Sequence, residues 1–580
     1  MRFRIVPSLL YLGLIMIVFR LWYWQILSSD TLTARAEQQR VSSQTLLAPR
    51  GQIYFSDGSL LASTEPTFLV FAQPKLIKNK GEVARKLALL FWEDRRHDEL
   101  DVDPAKKEIQ VTQQQARIEE DINSRLQKDL FWVSLGIKVS MDTKQRIEKE
   151  NFFGIGFDTY LTRFYPEGST SAHLLGFISS DAYGSEAGYF GLEGFYNGEL
   201  KGKNGLLTQD KDAQGLPILI GTYKIKDAKP GKTLLLNVDR TIQHIVEENL
   251  RLGKEKYGAK SASAIVMDPK TGNVLALASF PNYDPAAPAD FSKEFFRNPI
   301  TVDSYEPGST FKVLVMAAGI NEDLVQPETS CDRCGGPLSI GGYIIRTWNN
   351  KYSANLSMTD AIIHSDNTGM VFVAKKLGAD KLFAYIQKFG FGELTGIDLQ
   401  DEQTPQLRPL PSWKEIDLAT ASFGQGISST ALQLVRAVAA IANNGVMMEP
   451  HVVHTIADGE KVTVINPREV SRPISEQTAK LVTEMMVKAV EEGEAKFFKP
   501  KGFKVAGKTG TAQIPVAGHY DASKTIASFI GFAPADNPKF IMLVRYDQPS
   551  SSIYGAETAA PTFFNIAKEV FNYYGLAPTE

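Results

Sequence analysis

A serine and a lysine stand three positions apart in residues 305–312 (YEPGSTFK), just before the apolar run VLVMAAGI. The Pro-Gly turn predicts that Ser309 opens a helix, and the spacing then places Ser309 and Lys312 on one helical face. A serine hydroxyl becomes a nucleophile when a base takes its proton, and lysine is such a base when burial or nearby positive charge keeps it neutral. The pair predicts nucleophilic catalysis, although a capping serine beside an exposed lysine has the same spacing.

A second polar motif, Ser365-Asp366-Asn367, falls in the helical-looking run SMTDAIIHSDNTGMVFVAKKLG. Serine, aspartate and asparagine side chains bond readily to nearby backbone groups, so the motif alone predicts a polar kink or a helix cap. Its chemistry depends on which other groups the fold brings to it.

The third motif is Lys508-Thr509-Gly510-Thr511, in the segment FKVAGKTGTAQ. We expect this segment to be a strand in which Gly507 and Gly510 allow another backbone to approach the edge. A peptide substrate could then bind as an additional strand.

Residues 502–509 also satisfy the phosphate-loop pattern G-x-x-x-x-G-K-[ST], and the run FIMLVRYD ends at Asp547 like an accompanying metal-binding strand. A nucleotide hydrolase is therefore a formal alternative. A phosphate loop must follow a strand and open a helix, whereas Phe503 and Val505 lie inside the would-be loop and GTAQIP is a poor helix start. The sequence context disfavours nucleotide binding.

Residues 5–27 form an apolar run whose only strongly polar members are Arg20 and Gln25. About 20 such residues are enough to cross a bilayer as a helix. Arg2 and Arg4 favour a cytoplasmic N-terminus, so the remainder is expected outside the plasma membrane. A cleaved signal peptide is the alternative, but its apolar stretch is shorter and is followed by a small-residue cleavage site.

The chain has 580 residues, of which 43% are hydrophobic and 22% charged, which predicts a globular protein of two or three domains. Its 63 basic and 66 acidic residues give a net charge of −3, so no basic field indicates a nucleic-acid partner. The predicted divisions are a cytoplasmic tip and membrane anchor (1–29), a charge-rich α+β extension with a helical middle near 81–130 (30–230), and an enzyme-sized unit (231–580).

The enzyme-sized unit opens with a predicted strand at 233–239, a helix from Arg240 and a hairpin over 261–280, which together indicate a mixed sheet. Two more strand-like runs, 525–534 and 539–547, and an amphipathic helix near 560–574 close it.

In this order, Ser-x-x-Lys, Ser-Asp-Asn and Lys-Thr-Gly are the motif set of serine β-lactamases and penicillin-binding proteins. The chain resembles a class B penicillin-binding protein, a monofunctional peptidoglycan D,D-transpeptidase, over nearly its whole length. Further segments carry the resemblance: APRGQIY (48–54), RFYP (163–166), HLLG (173–176), GLEG (191–194), residues 262–278 and ASFGQGIS (421–428). One departure is FSDG at 55–58, where many relatives have an Asp-Arg pair. Residues 365–369 and 421–428 look more like division-septum enzymes than the elongation enzyme penicillin-binding protein 2.

The resemblance implies an α/β (mixed α+β) transpeptidase domain with an antiparallel sheet flanked by helices, on an elongated pedestal and one transmembrane helix. It implies that Ser309 attacks the penultimate D-alanine of a stem peptide and that Lys312 takes the serine proton. Ser365 would relay a proton to the leaving group, and Asn367 would hold the substrate amide.

The resemblance further implies that Lys508 supplies positive charge, that Thr509 and Thr511 donate hydrogen bonds from the same strand as Gly510, and that the backbone N–H groups of Ser309 and Thr511 form an oxyanion hole. β-Lactams would acylate Ser309. No cofactor or metal is expected, and the expected partner is a multipass glycosyltransferase that makes glycan strands.

Rival functions share these motifs. A β-lactamase needs a base for the deacylating water, for which the candidates are Glu393, Glu402 and Glu415. A carboxypeptidase or a β-lactam sensor would keep the acylating serine. A bifunctional synthase is disfavoured because residues before 230 contain no Glu-Asp-x-x-Phe pattern.

Two smaller features have simple interpretations. Cys331 and Cys334 are the only cysteines and predict a local disulfide in a surface loop, in preference to free thiols or half a zinc site. The acidic run at 491–494 (EEGE) predicts a solvated helix end.

Overall fold

The computed structural model describes residues 2–94, 104–180, 186–212, 218, 223–516 and 519–578. The chain forms two compact units. The first comprises Met1–Arg50, Phe68–Leu161 and Lys201–Gly231, and the second comprises Gly51–Thr67, Thr162–Leu200 and Lys232–Glu580. The domain boundaries at residues 29/30 and 230/231 stay predictions.

The α-helices of the described residues are, in chain order, α1 (Arg2–Trp22), α2 (Ser29–Arg40), α3 (Lys80–Asp94), α4 (Pro104–Leu126), α5 (Met141–Lys149), α6 (Ala172–Leu175), α7 (Gly191–Phe195), α8 (Asn197–Leu200), α9 (Arg240–Tyr257), α10 (Pro299–Val302), α11 (Lys312–Asn321), α12 (Met358–Ile363), α13 (Asn367–Lys388), α14 (Glu415–Ala421), α15 (Ala431–Ala442), α16 (Glu476–Glu491) and α17 (Ala559–Tyr573).

The strands are β1 (Val41–Leu46), β2 (Ile53–Tyr54), β3 (Leu60–Ala72), β4 (Val133–Val139), β5 (Ile155–Phe164), β6 (Phe177–Ser180), β7 (Glu186–Tyr189), β8 (Gly205–Asp210), β9 (Tyr223–Lys226), β10 (Thr233–Leu236), β11 (Ser261–Met267), β12 (Val274–Phe280), β13 (Ser330–Cys331), β14 (Leu338–Ile340), β15 (Tyr343–Ile345), β16 (Leu356–Ser357), β17 (Met447–Met448), β18 (Val453–Asp458), β19 (Lys461–Val464), β20 (Glu469–Ser471), β21 (Ala506–Val516), β22 (His519–Ala533) and β23 (Phe540–Asp547).

The N-terminal helix α1 continues through one π-helical turn, Tyr23–Leu27. The span Ile5–Leu27 is long and apolar enough to cross a membrane, and none of it is buried. Within the described part of the chain it is the one helix of that kind. An apolar helix with no protein covering it fits a single-pass membrane anchor.

The first unit has its own small core, in which α3 and α4 pack beside β4 and the end of β3. Val83, Leu87 and Phe91 of α3 recur every four residues, so they share one face, and all three are buried. β1, β8 and β9 form a separate antiparallel sheet. The predicted helical middle is confirmed for α3 and α4, while residues 95–103 lie outside the described residues.

The second unit is built on a five-stranded sheet in the order β12-β11-β23-β22-β21, with every pair antiparallel. Alternate residues of β11 point to opposite faces: Ile265 and Met267 join the core that contains α11, α13, α15 and α16, whereas Ala264 and Val266 join the core that contains α9 and α17. Because both faces are covered, residues 264–267 (AIVM) form a continuous apolar run. The predicted antiparallel sheet flanked by helices is confirmed.

The predicted opening of this unit is correct in its elements and wrong in one pairing. Helix α9 begins after Asp239, whose carboxylate caps it, and ends at Gly258 in the left-handed conformation. The hairpin is β11–β12. The preceding strand β10 belongs to another sheet, where it pairs parallel with β2 and antiparallel with β18, so the hairpin's own sheet is not mixed.

Candidate active site

The three motifs meet at one cleft of about 1000 Å³ in the second unit. They reach it from the start of α11, from the break between α12 and α13, and from β21. The predicted residues that line the cleft are Ser309, Ser365, Asn367, Thr509 and Thr511. Lys312, Lys508 and Gly510 are buried beside them.

Ser309 lies in a 3₁₀ turn, Gly308–Phe311, that leads directly into α11, as predicted. Gly308 has φ +56°, and its N–H donates to the carbonyl of Gly424 over 3.1 Å. Gly424 has φ +76°, and a Cβ there would come within 2.2 Å of the Gly308 oxygen. The ASFGQGIS segment therefore packs backbone to backbone against the turn that carries Ser309, which only glycine allows.

Lys312 is fully buried under this turn. Its ammonium donates to the Ser365 carbonyl over 2.6 Å and to Asn367 Oδ1 over 2.7 Å, with the Ser365 hydroxyl at 3.3 Å. Burial and then the positive charge of Lys508 hold the pKa of Lys312 well below its usual range, against the opposing charges of Asp366 and Glu494. A neutral lysine amine is a proton acceptor.

The second motif interrupts the helical-looking run in which it lies. Between α12 and α13, Ser365 adopts φ +54°, and Asp366 caps α13 by accepting from the Gly369 N–H at 2.9 Å and the Thr368 hydroxyl at 2.6 Å. The predicted polar kink or cap is confirmed, because the motif breaks the helical run and caps α13. Because the helix breaks here, the Ser365 carbonyl has no helical partner and accepts from Lys312 instead.

Lys508 stands inside β21, the edge strand of the sheet. Its side chain is buried, its ammonium donates to the Thr509 carbonyl and hydroxyl at 3.3 Å each, and burial lowers its pKa to about 8. No helix starts at Lys508-Thr509, because the strand continues to Val516. The phosphate-loop alternative is therefore wrong.

The glycines at the third motif are required by the packing of side chains from the same unit against β21. A Cβ at Gly507 would come within 2.5 Å of the Phe529 ring, and one at Gly510 within 2.4 Å of Ser528 Oγ and 2.8 Å of the Thr310 methyl. The edge of β21 is open as predicted, but side chains of the same unit are what require these glycines.

Several residues of the cleft had no role in the sequence interpretation. Glu494 lines it, although its acidic run predicted a solvated helix end. Trp348 and Tyr554 line it as an edge-to-face pair with ring centroids 5.9 Å apart, and the Arg346 carbonyl accepts from Asn367 Nδ2 at 2.9 Å. These residues belong to no short motif, so only the fold reveals them.

The cleft lining does not include the two cysteines or the three glutamates that a β-lactamase could use as a base. Cys331 and Cys334 form the predicted disulfide, but both are fully buried and not at the surface. Glu402 accepts from the N–H groups of Thr395 and Gly396, and Glu415 pairs with Lys375. Among the described residues, no cluster of three or more potential metal ligands occurs.

Comparison with known families matches both units. Residues 262–568 match the family described as penicillin binding protein transpeptidase domain, and residues 45–236 match the penicillin-binding protein dimerisation domain. Stage V sporulation protein D of Bacillus subtilis is 32% identical over 96% of this chain and 83% of its own length. The probable peptidoglycan D,D-transpeptidase PenA of Neisseria meningitidis is 31% identical over 99% and 92%.

Two less similar proteins also match this chain over nearly its whole length. The peptidoglycan D,D-transpeptidase FtsI of Escherichia coli is 28% identical over 100% of this chain and 92% of its own. The crystal structure of penicillin binding protein 2X from Streptococcus thermophilus has the same fold, with a TM-score of 0.72 at 24% identity over 93% of this chain and 81% of that one. The chain belongs to the class B penicillin-binding proteins, the monofunctional peptidoglycan D,D-transpeptidases.

Proposed function

We propose that Ser309 is the nucleophile of this transpeptidase and that Lys312 is its base. In the first half-reaction the Ser309 Oγ–H proton goes to Lys312 Nζ while Oγ bonds to the carbonyl carbon of the penultimate D-alanine of a donor stem peptide. The burial of Lys312 beside a second lysine is the observation that carries this proposal, because both effects favour the neutral amine.

Ser365 and Asn367 complete the proton path. The bond between the donor carbonyl and the terminal D-alanine nitrogen breaks, and a proton passes from Lys312 through the Ser365 hydroxyl, 3.3 Å away, to that nitrogen. Asn367 holds Lys312 through Oδ1 and retains a second lone pair and a second N–H for the substrate amide.

Lys508, Thr509 and Thr511 bind the donor from the β21 side. Lys508 supplies the positive charge for the donor carboxylate, and its pKa of about 8 leaves it mostly protonated at neutral pH. Thr511 Oγ accepts from the Gly555 N–H at 3.1 Å, which leaves its own proton for a ligand. The backbone N–H groups of Ser309 and Thr511 form the oxyanion hole. Gly510, next to Thr511, lets the strand approach the serine turn, because a Cβ there would lie 2.8 Å from the Thr310 methyl.

The second half-reaction forms the cross-link. The amine of a neighbouring stem peptide attacks the Ser309 ester and gives one proton to the neutral Lys312 amine while a C–N bond forms. The C–Oγ bond then breaks, and Lys312 passes that proton to Ser309 Oγ. β-Lactams stop the cycle at the acyl-enzyme. Glu393, Glu402 and Glu415 do not line the cleft, which disfavours a β-lactamase that uses one of them.

The test of these assignments is intact mass of the detergent-solubilised protein after incubation with benzylpenicillin, beside Ser309→Ala. We expect one stable adduct on the wild type and none on the variant. Turnover of a D-alanyl-D-alanine donor with an added amine then separates a transpeptidase, which makes the amide product, from a carboxypeptidase, which releases D-alanine alone. A rapidly lost adduct with hydrolysed drug would contradict the proposal in favour of a β-lactamase.

We further propose a septal role, with α1 in the plasma membrane, the N-terminus in the cytoplasm and the catalytic unit outside. Arg2 and Arg4 before the apolar span support this orientation. The likeness of residues 365–369 and 421–428 to division-septum enzymes supports the role. A multipass glycosyltransferase is the partner, because a monofunctional cross-linker needs glycan strands. A reporter fused after Glu580 that is active only in the cytoplasm would contradict the orientation.

A further inference from the structure

Glu494 is held at the cleft by the backbone around it. It follows α16, and Gly493 before it packs so tightly that a Cβ there would lie 2.2 Å from the Ala489 carbonyl oxygen and 3.0 Å from that of Ile363. On the other side, Ala495 is buried in the core that contains α9 and α17. Because Ile363 lies two residues before Ser365, this packing fixes Glu494 beside the second motif and turns its partly exposed side chain into the cleft.

The two lysines near this carboxylate are buried, and all their hydrogen-bond partners are neutral groups. Lys312 donates to a carbonyl, an amide oxygen and a hydroxyl, and Lys508 donates to the carbonyl and hydroxyl of Thr509. Buried ammonium groups are unfavourable unless a negative charge compensates them. Lys508 has to stay protonated in this site, so a carboxylate is needed nearby.

Few carboxylates near the two lysines are available to compensate a buried positive charge. Asp366 acts on Lys312, but its carboxylate is engaged as the cap of α13. Of the other charged side chains lining the cleft, Arg408 and Asp417 pair with each other at 2.5 Å, and Arg346 is positive. His364, which precedes Ser365, is exposed. Among the described residues, Glu494 is the carboxylate whose charge acts on both lysines.

We infer that Glu494 is a positioning residue for acylation: its carboxylate is the countercharge that keeps Lys508 protonated for donor binding while Lys312 serves as the base. This inference rests on the proposed roles of Ser309, Lys312 and Lys508. The charge of Glu494 raises the pKa of Lys508, which burial lowers to about 8, so without Glu494 that pKa falls toward neutral. Lys508 would then lose its proton within the working pH range.

The test is the pH dependence of acylation of the detergent-solubilised full chain by benzylpenicillin, followed by intact mass from pH 5 to 10. Acylation needs a neutral Lys312 and a protonated Lys508, so its rate rises and then falls with pH. We expect Glu494→Gln, which keeps the side-chain shape, to move both limbs to lower pH, because the charge of Glu494 acts on Lys312 and on Lys508. The falling limb should move about one pH unit, and the rate at pH 8 should fall roughly five- to tenfold. Glu494→Ser, which removes the same charge with a different side chain, should give the same shift.

Two controls separate charge from structure. Glu494→Asp keeps the charge and should keep the falling limb near that of the wild type, and Glu492→Gln removes an exposed charge two residues away and should change nothing. The inference is wrong if Glu494→Gln keeps the wild-type limbs within about 0.2 pH unit, or if Glu494→Asp shifts them as far as Glu494→Gln. It is also wrong if the substitution alters only the lifetime of the adduct, because Glu494 would then act on hydrolysis. A wild-type protein that never acylates at Ser309 would instead overturn the proposed function.

Discussion

The ammonium nitrogen of Lys312 lies 2.6 Å from the backbone carbonyl oxygen of Ser365, a residue 53 positions further along the chain. This bond joins the first turn of α11 to the break between α12 and α13. A bend that displaced Ser365 would therefore also displace the proposed base. The polar kink therefore positions Lys312, and it holds the lysine amine beside the Ser365 hydroxyl.

Lys312→Met tests the base, because methionine has the same unbranched shape and cannot accept the serine proton. We expect the rate of acylation by benzylpenicillin to fall by roughly 10²- to 10⁴-fold, the usual contribution of a general base. The melting temperature should not fall, because the variant no longer buries a polar amine. Stopped-flow acylation and thermal unfolding measure the two effects.

The matched control is Lys375→Met, which removes a lysine that is paired with Glu415 at 3.0 Å near the surface. Its acylation rate should equal that of the wild type. A Lys312→Met protein that acylates within twofold of the wild type would show that another group takes the serine proton.

The low pKa of Lys508 predicts a pH-dependent stability. The folded-state pKa is about 8 and the ordinary value is 10.5, so between these values the unfolded chain binds more protons than the folded chain. Stability therefore rises with pH through this window. Burial of the Lys508 ammonium lowers the free energy of unfolding most strongly below pH 8. The pKa difference of about 2.5 between the unfolded and folded states corresponds to at most about 3 kcal/mol.

Lys508→Met removes this group, so its free energy of unfolding relative to that of the wild type should be highest at pH 7 and should decline as the pH approaches 10.5. Chemical unfolding of both proteins at several pH values measures the difference, in which other titrating groups largely cancel. A constant difference across the window would mean that Lys508 has its ordinary pKa in the folded protein.

The sequence revealed the candidate site residues because each motif is a contiguous string with its own local signal. A Pro-Gly turn precedes Ser309, a capping aspartate follows Ser365, and Lys508 lies in an apolar strand pattern. Periodicity likewise predicted α9, whose apolar residues repeat at the helical period, and two largely apolar runs on either side of a turn predicted the β11–β12 hairpin. These features depend on neighbours within a few positions.

The sequence could not reveal what depends on distant contacts. The helix break at Ser365 is stabilised by a lysine far away in the chain, so the motif predicted a kink or cap but not its lysine partner. The place of Glu494 depends on Gly493 fitting against the Ile363 carbonyl, which is a feature of tertiary packing. The pairing of β10 with β2 and β18 likewise depends on segments some 180 to 220 positions away in the sequence.

Gly424→Ala tests whether the ASFGQGIS segment positions Ser309. The new Cβ would lie 2.2 Å from the Gly308 carbonyl oxygen, so the serine turn has to move. We expect acylation to slow by at least tenfold, since small displacements of a nucleophile are costly. Gly426→Ala is the matched control, because Gly426 has φ +73° and the nearest atom to its Cβ would be 3.6 Å away.

Both alanine variants carry the strain of a left-handed residue, about 1–2 kcal/mol, so a difference between their acylation rates reports the steric contact. Equal rates would indicate that the serine turn tolerates movement of this segment.

The buried ion pair between Arg163 and Glu193 joins three of the segments that carry the family resemblance. Arg163 Nε donates to Glu193 Oε1 and its Nη1 donates to the Gly51 carbonyl, both over 2.6 Å, and the two side chains are 4% and 0% exposed. We expect Glu193→Gln to destabilise the fold by about 3–5 kcal/mol, because it leaves the buried guanidinium without its countercharge.

The double variant Arg163→Met with Glu193→Leu should lose less stability than Glu193→Gln, since it removes both charges together. An exposed pair provides the control: Arg240 and Glu167 lie 2.7 Å apart with 51% and 28% of their side chains exposed, and Arg240→Met should cost under about 1 kcal/mol. Thermal unfolding of the four proteins gives the order of stability. If the double variant proved less stable than Glu193→Gln, the pair would contribute more through its hydrogen bond to Gly51 than through charge compensation.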